Sequence, residues 1–178
     1  MRLKFDEQLA LLNEELITMG ALCENAIATS SKALTSGDFE LAAGVRVLSE
    51  QINQKEKDIQ NLCLKLLLQQ QPVAKDLRAI SSALKMITDM ERIGDQSADI
   101  AEIITTAHIS ASGDTFNISD MAQAAIKMVT ESIDAFVKKD IDIARSVIEY
   151  DDVVDGYFDK IKSCLLYTSP SPRDKRQS

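Results

Sequence analysis

Apolar or small side chains recur along the first part of the chain at alternating steps of four and three residues. The series is Phe5, Leu9, Leu12, Leu16, Met19, Cys23, Ala26, Ser30 and Ala33. Residues three and four positions apart share one face of an α-helix, so this spacing predicts a single helix over residues 3–36. Gly37 and Asp38 follow it. Glycine commonly ends helices and aspartate commonly caps them, so the pattern predicts a break at this point.

Two further runs of the same kind follow this break. The first is Leu41, Val45, Leu48, Ile52, Ile59, Leu62 and Leu66, and it predicts a helix as far as Gln71. Pro72 opens the next run, because the first turn of a helix tolerates proline and the interior does not. The apolar face of this third helix is predicted to contain Leu77, Ile80, Leu84 and Ile87. Three long helices with short connections predict an antiparallel bundle over residues 1–109.

The third helix changes character after Ile87. Glu91, Asp95 and Asp99 follow at four-residue steps, and at roughly 100° per residue they fall on one face. Carboxylates at this spacing repel one another, and a multivalent cation would convert the repulsion into binding. Hard oxygen ligands suit magnesium, manganese or iron better than zinc. The alternative interpretation is a solvated acidic face, with Arg92 paired to a neighbouring aspartate.

The pattern of the first two helices recurs at a constant offset of 102 residues, after a polar linker over residues 110–117. Corresponding pairs are Met19 and Met121, Ala26 and Met128, Ala33 and Ala135, and Asp38 and Asp140. The repeat predicts a second helical hairpin over residues 118–164. Residues 165–178 are basic, polar and interrupted by proline, so we expect a disordered, non-native tail there in place of a third helix. A hairpin without that helix should leave apolar side chains exposed and should associate.

Composition and charge exclude several classes of protein. A net charge of −8 argues against nucleic-acid binding, which needs a basic surface. Cys23 and Cys63 lie within apolar series and have no C-x-x-C spacing, as expected of core residues in a reducing compartment. No apolar stretch approaches the ~18 residues of a membrane span, and no secretory signal is recognisable. We therefore expect a cytoplasmic protein without a transmembrane segment.

Candidate catalytic residues are scarce. The single histidine, His108, falls at a predicted helix end, so the sequence offers neither a cysteine–histidine pair nor a two-histidine metal site. No glycine-rich phosphate loop is recognisable. Two alternative functions remain open from the residues alone. One is a metal-dependent enzyme that acts on phosphate compounds through the three carboxylates, and the other is a purely structural helical bundle.

Four motifs in combination resemble the PhoU family of phosphate-specific transport system accessory proteins, over about residues 1–164. They are Phe5-Asp6-Glu7-Gln8-Leu9, Gln70-Gln71-Pro72-Val73-Ala74 with Asp76-Leu77-Arg78, Ile80-Ser81-Ser82-Ala83-Leu84-Lys85-Met86-Ile87, and Asp89-Met90-Glu91-Arg92-Ile93-Gly94-Asp95. The resemblance implies an all-α fold of tandem three-helix bundles, the second here lacking its last helix. It also implies a metal-binding E(D)xxxD signature, which Glu91 and Asp95 carry.

The same resemblance implies a function and partners. The chain would regulate phosphate uptake and phosphate homeostasis as a negative regulator of the phosphate-starvation response. It would couple a phosphate ABC transporter to a phosphate-sensing histidine kinase, without being an enzyme. The resemblance further implies signal transduction in the cytoplasm, a homodimer, contact with the membrane only through partners, and bound iron, manganese or magnesium ions.

Overall fold

The structure, a computed structural model, describes residues 2–70, 73–111 and 117–168. Five helices make up its secondary structure: α1 (Arg2–Ser36), α2 (Phe39–Gln70), α3 (Ala74–Ala107), α4 (Ile118–Lys138) and α5 (Ile141–Thr168). The all-α prediction and the break at Gly37 are confirmed. Pro72, most of the predicted linker and the last ten residues of the predicted tail lie outside the described residues. None of the five helices combines the length and the apolar character that crossing a membrane requires.

Helices α1, α2 and α3 contact one another and form the predicted three-helix bundle. In α1, every member of the predicted apolar series is buried except Leu9, which is half-buried and packs against the core. The fully buried large side chains of this core include Leu12, Leu16, Met19, Ile52, Ile59, Leu66, Ile80 and Ile87. The core therefore contains aliphatic side chains from all three helices, as the low aromatic content suggests.

The apolar face of α3 differs from the prediction. Leu77 is 48% exposed and Leu84 is only half-buried. Ile80 and Ile87 are buried as predicted, and the other buried residues of this helix are Ala83, Met90, Gly94, Ser97, Ala101 and Ile104. Small residues are needed because α2 lies very close: a Cβ atom on Gly94 would come within 2.9 Å of Ile52 Cδ1. The prediction followed the largest side chains, whereas the contact surface uses alanine and glycine.

The turn between α4 and α5 repeats the turn between α1 and α2. Asp38 and Asp140 each accept two hydrogen bonds on Oδ1 from backbone N–H groups of the following helix. The residue before each aspartate has a left-handed backbone, with φ of +68° at Gly37 and +55° at Lys139. Glycine adopts this conformation readily, whereas another residue loses roughly 1–2 kcal/mol there. The two turns thus share one geometry, as the internal sequence repeat predicts.

Helix α4 joins the second half of the chain to the first, because it contacts both α1 and α5. Ile133 of α4 is buried in the same core as the first three helices. Its Cδ1 atom occupies the space that a Cβ atom on Gly20 of α1 would need. The two halves therefore share a core, which the sequence analysis did not predict.

Helix α5 contacts only α4 among the described helices. Large apolar side chains along it are exposed, and Ile148, Phe158 and Leu165 are 73%, 57% and 50% exposed. This agrees with the expectation that the second hairpin leaves apolar side chains exposed. The helix continues to Thr168 and so includes the first four residues of the segment predicted to be a tail. The apolar run after Ser163 still suits a helix, and the serine–proline sequence begins only at residue 169.

Candidate functional site

The predicted ladder of carboxylates lies on α3 where this helix faces α2. Glu91 is half-buried, while Asp95 and Asp99 are exposed. Asp95 Oδ1 accepts hydrogen bonds from Ser49 Oγ at 3.0 Å and from Asn53 Nδ2 at 3.4 Å, both on α2. The site therefore includes residues of a second helix, which the sequence analysis missed.

Close packing of α2 and α3 positions these groups. Gly94 directly precedes Asp95, and the absence of a side chain there lets Ile52 of α2 sit against the α3 backbone. Ile52 is itself flanked in sequence by Asn53, so the same close approach brings Asn53 within hydrogen-bond distance of Asp95. Both the packing of the core and the geometry of the site therefore depend on Gly94.

Negative charge accumulates around Glu91. Burial raises the pKa of Glu91 above its usual range, and the charge of Asp95, a hydrogen bond with Asp95 and the charge of Glu56 raise it further. Arg92 lowers the pKa of Glu91 in part. This guanidinium lies 3.9 Å from Asp89 in an exposed ion pair, so it only partly offsets the carboxylates.

One acceptor in the same place has no partner. Asn53 Oδ1 is shielded from solvent, and no hydrogen-bond donor reaches it within the described part of the chain. Buried polar atoms are nearly always hydrogen-bonded, so this acceptor is open to a hydrogen-bond donor or a cation. Carboxylate and amide oxygens are the donors that hard cations prefer, and the residues present therefore fit such an ion by their chemistry.

The side chains do not form a preassembled ligand shell. Across residues 2–70, 73–111 and 117–168, no group of three or more acidic, cysteine or histidine side chains has the spacing of a metal site. Asp99 lies one helical turn beyond Asp95 and lines a groove of about 620 Å³ between α2 and α3. Glu50 and Glu102 line the same groove, as does Arg46, which pairs with Glu50 at 3.5 Å.

The other chemically active residues have structural environments. Cys23 Sγ donates a hydrogen bond to the Met90 carbonyl at 3.4 Å. Burial raises the pKa of Cys23 to about 12 and that of Cys63 to about 11, so neither thiol forms the reactive thiolate near neutral pH. His108 follows the end of α3 and its ring lies 5.3 Å from that of Phe39. Within the described residues, none of these groups is placed for nucleophilic catalysis.

Replacing Glu91 with glutamine should stabilise the metal-free chain at neutral pH. The raised pKa means that folded Glu91 holds its proton more tightly than the unfolded chain does. Stability therefore falls as the pH rises from the ordinary value of 4.5 through the raised value, and glutamine escapes this loss. Thermal melts in a chelator should show a higher melting temperature for Glu91→Gln at neutral pH and little difference below pH 4.5. High ionic strength should shrink the difference. A lower melting temperature for the variant at neutral pH would contradict this electrostatic account.

Long packed helices with an acidic, oxygen-rich site between two of them define the chain as an all-α helical-bundle protein. Two of its segments, residues 16–104 and 118–177, match the model of the PhoU domain. The second segment includes most of the residues that we predicted to be a non-native tail. The chain belongs to the PhoU family, as its sequence motifs indicate.

Known proteins resemble the chain in sequence and in structure. A phosphate-specific transport system accessory protein PhoU homolog of Pseudomonas aeruginosa is 34% identical over 175 residues, which cover 96% of this chain and 72% of that protein. The crystal structure of PhoU from Pseudomonas aeruginosa gives a TM-score of 0.82 at 34% identity, with 92% of this chain and 79% of that chain covered. For the phosphate transport system regulatory protein PhoU from Streptococcus pneumoniae, the TM-score is 0.80 at 26% identity, covering 91% and 77%. These names describe accessory and regulatory proteins, which supports the prediction that the chain is not an enzyme.

Proposed function

We propose that this chain regulates phosphate uptake in the cytoplasm as a negative regulator of the phosphate-starvation response. The observation that carries this proposal is similarity over 96% of the chain to a phosphate-specific transport system accessory protein. The shared fold supports it, with a TM-score of 0.82 to PhoU from Pseudomonas aeruginosa. The resemblance of its motifs extends the proposal to two partners, a phosphate ABC transporter and a phosphate-sensing histidine kinase.

The acidic face of α2 and α3 gives this regulator a site at which its surface charge can change. Glu91, Asp95 and Asp99, with Asn53 and Glu56 of α2, would hold an iron, manganese or magnesium ion. A bound ion supplies positive charge that relieves the repulsion around Glu91. The protein side chains supply oxygen ligands from two helices, so occupation of the site would link α2 to α3. The chain would act by docking its long helical surfaces to its partners. Such a mechanism requires no catalytic residue.

The test is restoration of repression in a bacterium that lacks its own PhoU. Expression of the full chain should silence a phosphate-starvation reporter when phosphate is ample and leave it inducible when phosphate is scarce. The variant Glu91→Gln with Asp95→Asn should accumulate to the same level and repress less well. If the wild-type chain accumulates in folded form and the reporter stays fully active, the proposed function is wrong.

We further propose that the chain forms a homodimer through the exposed apolar side chains of α5. Ile148 and Phe158 are 73% and 57% exposed there, and large exposed apolar patches drive association. Light scattering should show dimers whose population rises with concentration, and Ile148→Ser with Phe158→Ser should shift the chain to monomer. Leu3→Ser is the matched control, because Leu3 is 77% exposed on α1. A wild-type chain that stays monomeric at every concentration would contradict the proposal.

A further inference from the structure

A second concave site lies near the N-terminal end of α3, away from the acidic face. It is a pocket of about 280 Å³ between α1, the first turns of α3 and the C-terminal end of α4. Arg78 in this pocket and Asp95 in the acidic site are about 25 Å apart along α3 at the helical rise per residue. The pocket therefore belongs neither to the candidate cation site nor to the exposed apolar side chains of α5. We refer to it as the basic pocket.

The floor of the basic pocket is apolar. Leu9 and Leu12 of α1 contribute to it, together with Ala135 and Phe136 of α4. Leu12 and Ala135 are buried, and Leu9 and Phe136 are half-buried and pack on the core. Because the helices that carry these side chains share one core, the floor is held in place by the fold. Its volume is near the lower limit for ligand sites and suits one or two bulky apolar side chains.

The rim of the basic pocket carries unpaired positive charge. Lys75, Arg78 and Lys139 line it, and Asp76 is the acidic member of the lining. Among the described residues, none of these three cations takes part in an ion pair. A chain with a net charge of −8 therefore concentrates three free cations around one apolar depression.

Lys139 occupies its position at a conformational cost. Its backbone is left-handed, with φ of +55°, whereas the corresponding position in the first half of the chain is Gly37 with φ of +68°. The two turns are otherwise capped alike by Asp38 and Asp140. Glycine would adopt this turn without strain, so the turn itself does not require a lysine side chain. The Lys139 side chain lies on the rim of the basic pocket.

We propose that the basic pocket docks a peptide segment of a partner protein in which a bulky apolar side chain is flanked by acidic residues. The apolar side chain fills the floor over Leu12 and Phe136. The acidic neighbours pair with Lys75, Arg78 and Lys139 on the rim. A buried apolar anchor surrounded by charged contacts is the usual arrangement of an interface hot spot, and complementary charge speeds the encounter.

Other anionic ligands fit the basic pocket less well. Inorganic phosphate needs hydrogen-bond donors on several sides, and although Asn13 and Ser82 also line the pocket, the four apolar side chains of its floor donate none. An anionic membrane surface needs a broad, flat basic area, whereas the positive charge here surrounds a small concavity on an acidic chain. Docking of a peptide would serve the proposed regulatory function. The binding test uses purified chain without any phosphate-response readout, so either proposal can fail without the other.

Fluorescence anisotropy with a labelled synthetic peptide tests the proposal. The probe carries a central phenylalanine and leucine flanked by glutamates, and it should bind the full chain saturably. A peptide with glutamines in place of the glutamates, and one with glycine and serine in place of the apolar pair, should each bind more weakly. Loss of one exposed ion pair should weaken binding about two- to five-fold. Lys75→Gln, Arg78→Gln and Lys139→Gly together should weaken it about ten-fold or more.

Lys139→Gly is the most informative single variant. Glycine suits the left-handed backbone, so the variant should melt at the same temperature as the wild type or higher while binding the peptide more weakly. Lys85→Gln is the matched control, since Lys85 is exposed on α3 and does not line the pocket. Equal binding by all variants, equal binding of the glutamine peptide, or no binding of the acidic peptide would overturn the proposal. So would binding of inorganic phosphate or anionic vesicles through the same cations without binding of the peptide.

Discussion

Replacing Leu16 with alanine should lower the free energy of unfolding by roughly 2–5 kcal/mol. Leu16 is 0% exposed in the middle of α1, and it belongs to the core that α1, α2, α3 and α4 share. Truncation removes buried methyl groups and leaves a cavity that long, packed helices can only partly close. Urea denaturation followed by circular dichroism measures the effect. Because α4 packs on the same helix, both halves of the chain should unfold together.

Two other leucines calibrate this prediction. Leu11 is the neighbouring residue in sequence but is 43% exposed, so Leu11→Ala should cost less than about 1 kcal/mol. Leu84 is half-buried at the edge of the core, and Leu84→Ala should have an intermediate cost. Equal costs at Leu16 and Leu11 would show that the apolar series of α1 does not face the core.

The first helix could be predicted almost completely from the sequence. Its apolar series continues without interruption from Phe5 to Ala33, and a series of that length is compatible with only one helical face toward the core. The C-terminal end of this helix is equally clear. Gly37 adopts a left-handed backbone that ends the helix, and Asp38 caps the next one. Each local signal agreed with the packing that the structure shows.

The face of α3 could not be predicted as well. Ile80 and Ile87 of the predicted stripe are buried, yet Leu77 and Leu84 are not, and Ala83 and Gly94 face the core. How closely α2 approaches depends on the side chains of both helices together, and periodicity within one helix does not contain that information. Gly20 is a similar case. From the sequence, a glycine inside a long helix only indicates lower helix propensity. In the structure, its missing side chain makes room for Ile133 of α4.

The sequence predicts the α3 residues of the candidate site but not those that α2 contributes. The spacing of Glu91 and Asp95 predicts a shared face, and in the structure Asp95 is close enough to raise the pKa of Glu91. The contribution of Ser49, Asn53 and Glu56 depends on the register between α2 and α3, which no spacing within α3 reveals. One signal was available: these three residues recur at helical spacing beside the apolar series of α2. Such a polar line next to a core face marks a surface where two helices meet.

Calorimetric titration of the chelator-treated chain with Mn²⁺ or Fe²⁺ tests most directly the central claim, that the acidic face of α2 and α3 binds a hard cation. We expect saturable binding, which Glu91→Gln with Asp95→Asn should weaken about a hundred-fold or more, since even an outer partner of a metal ligand contributes 10–100-fold. The matched control is Asp155→Asn with Asp159→Asn, an exposed pair with the same four-residue spacing on α5. The α5 pair lies outside the acidic face, since α5 contacts only α4 among the described helices, so its loss should leave binding unchanged. Binding that survives the Glu91 and Asp95 changes, or that disappears only with the α5 pair, would contradict the claim.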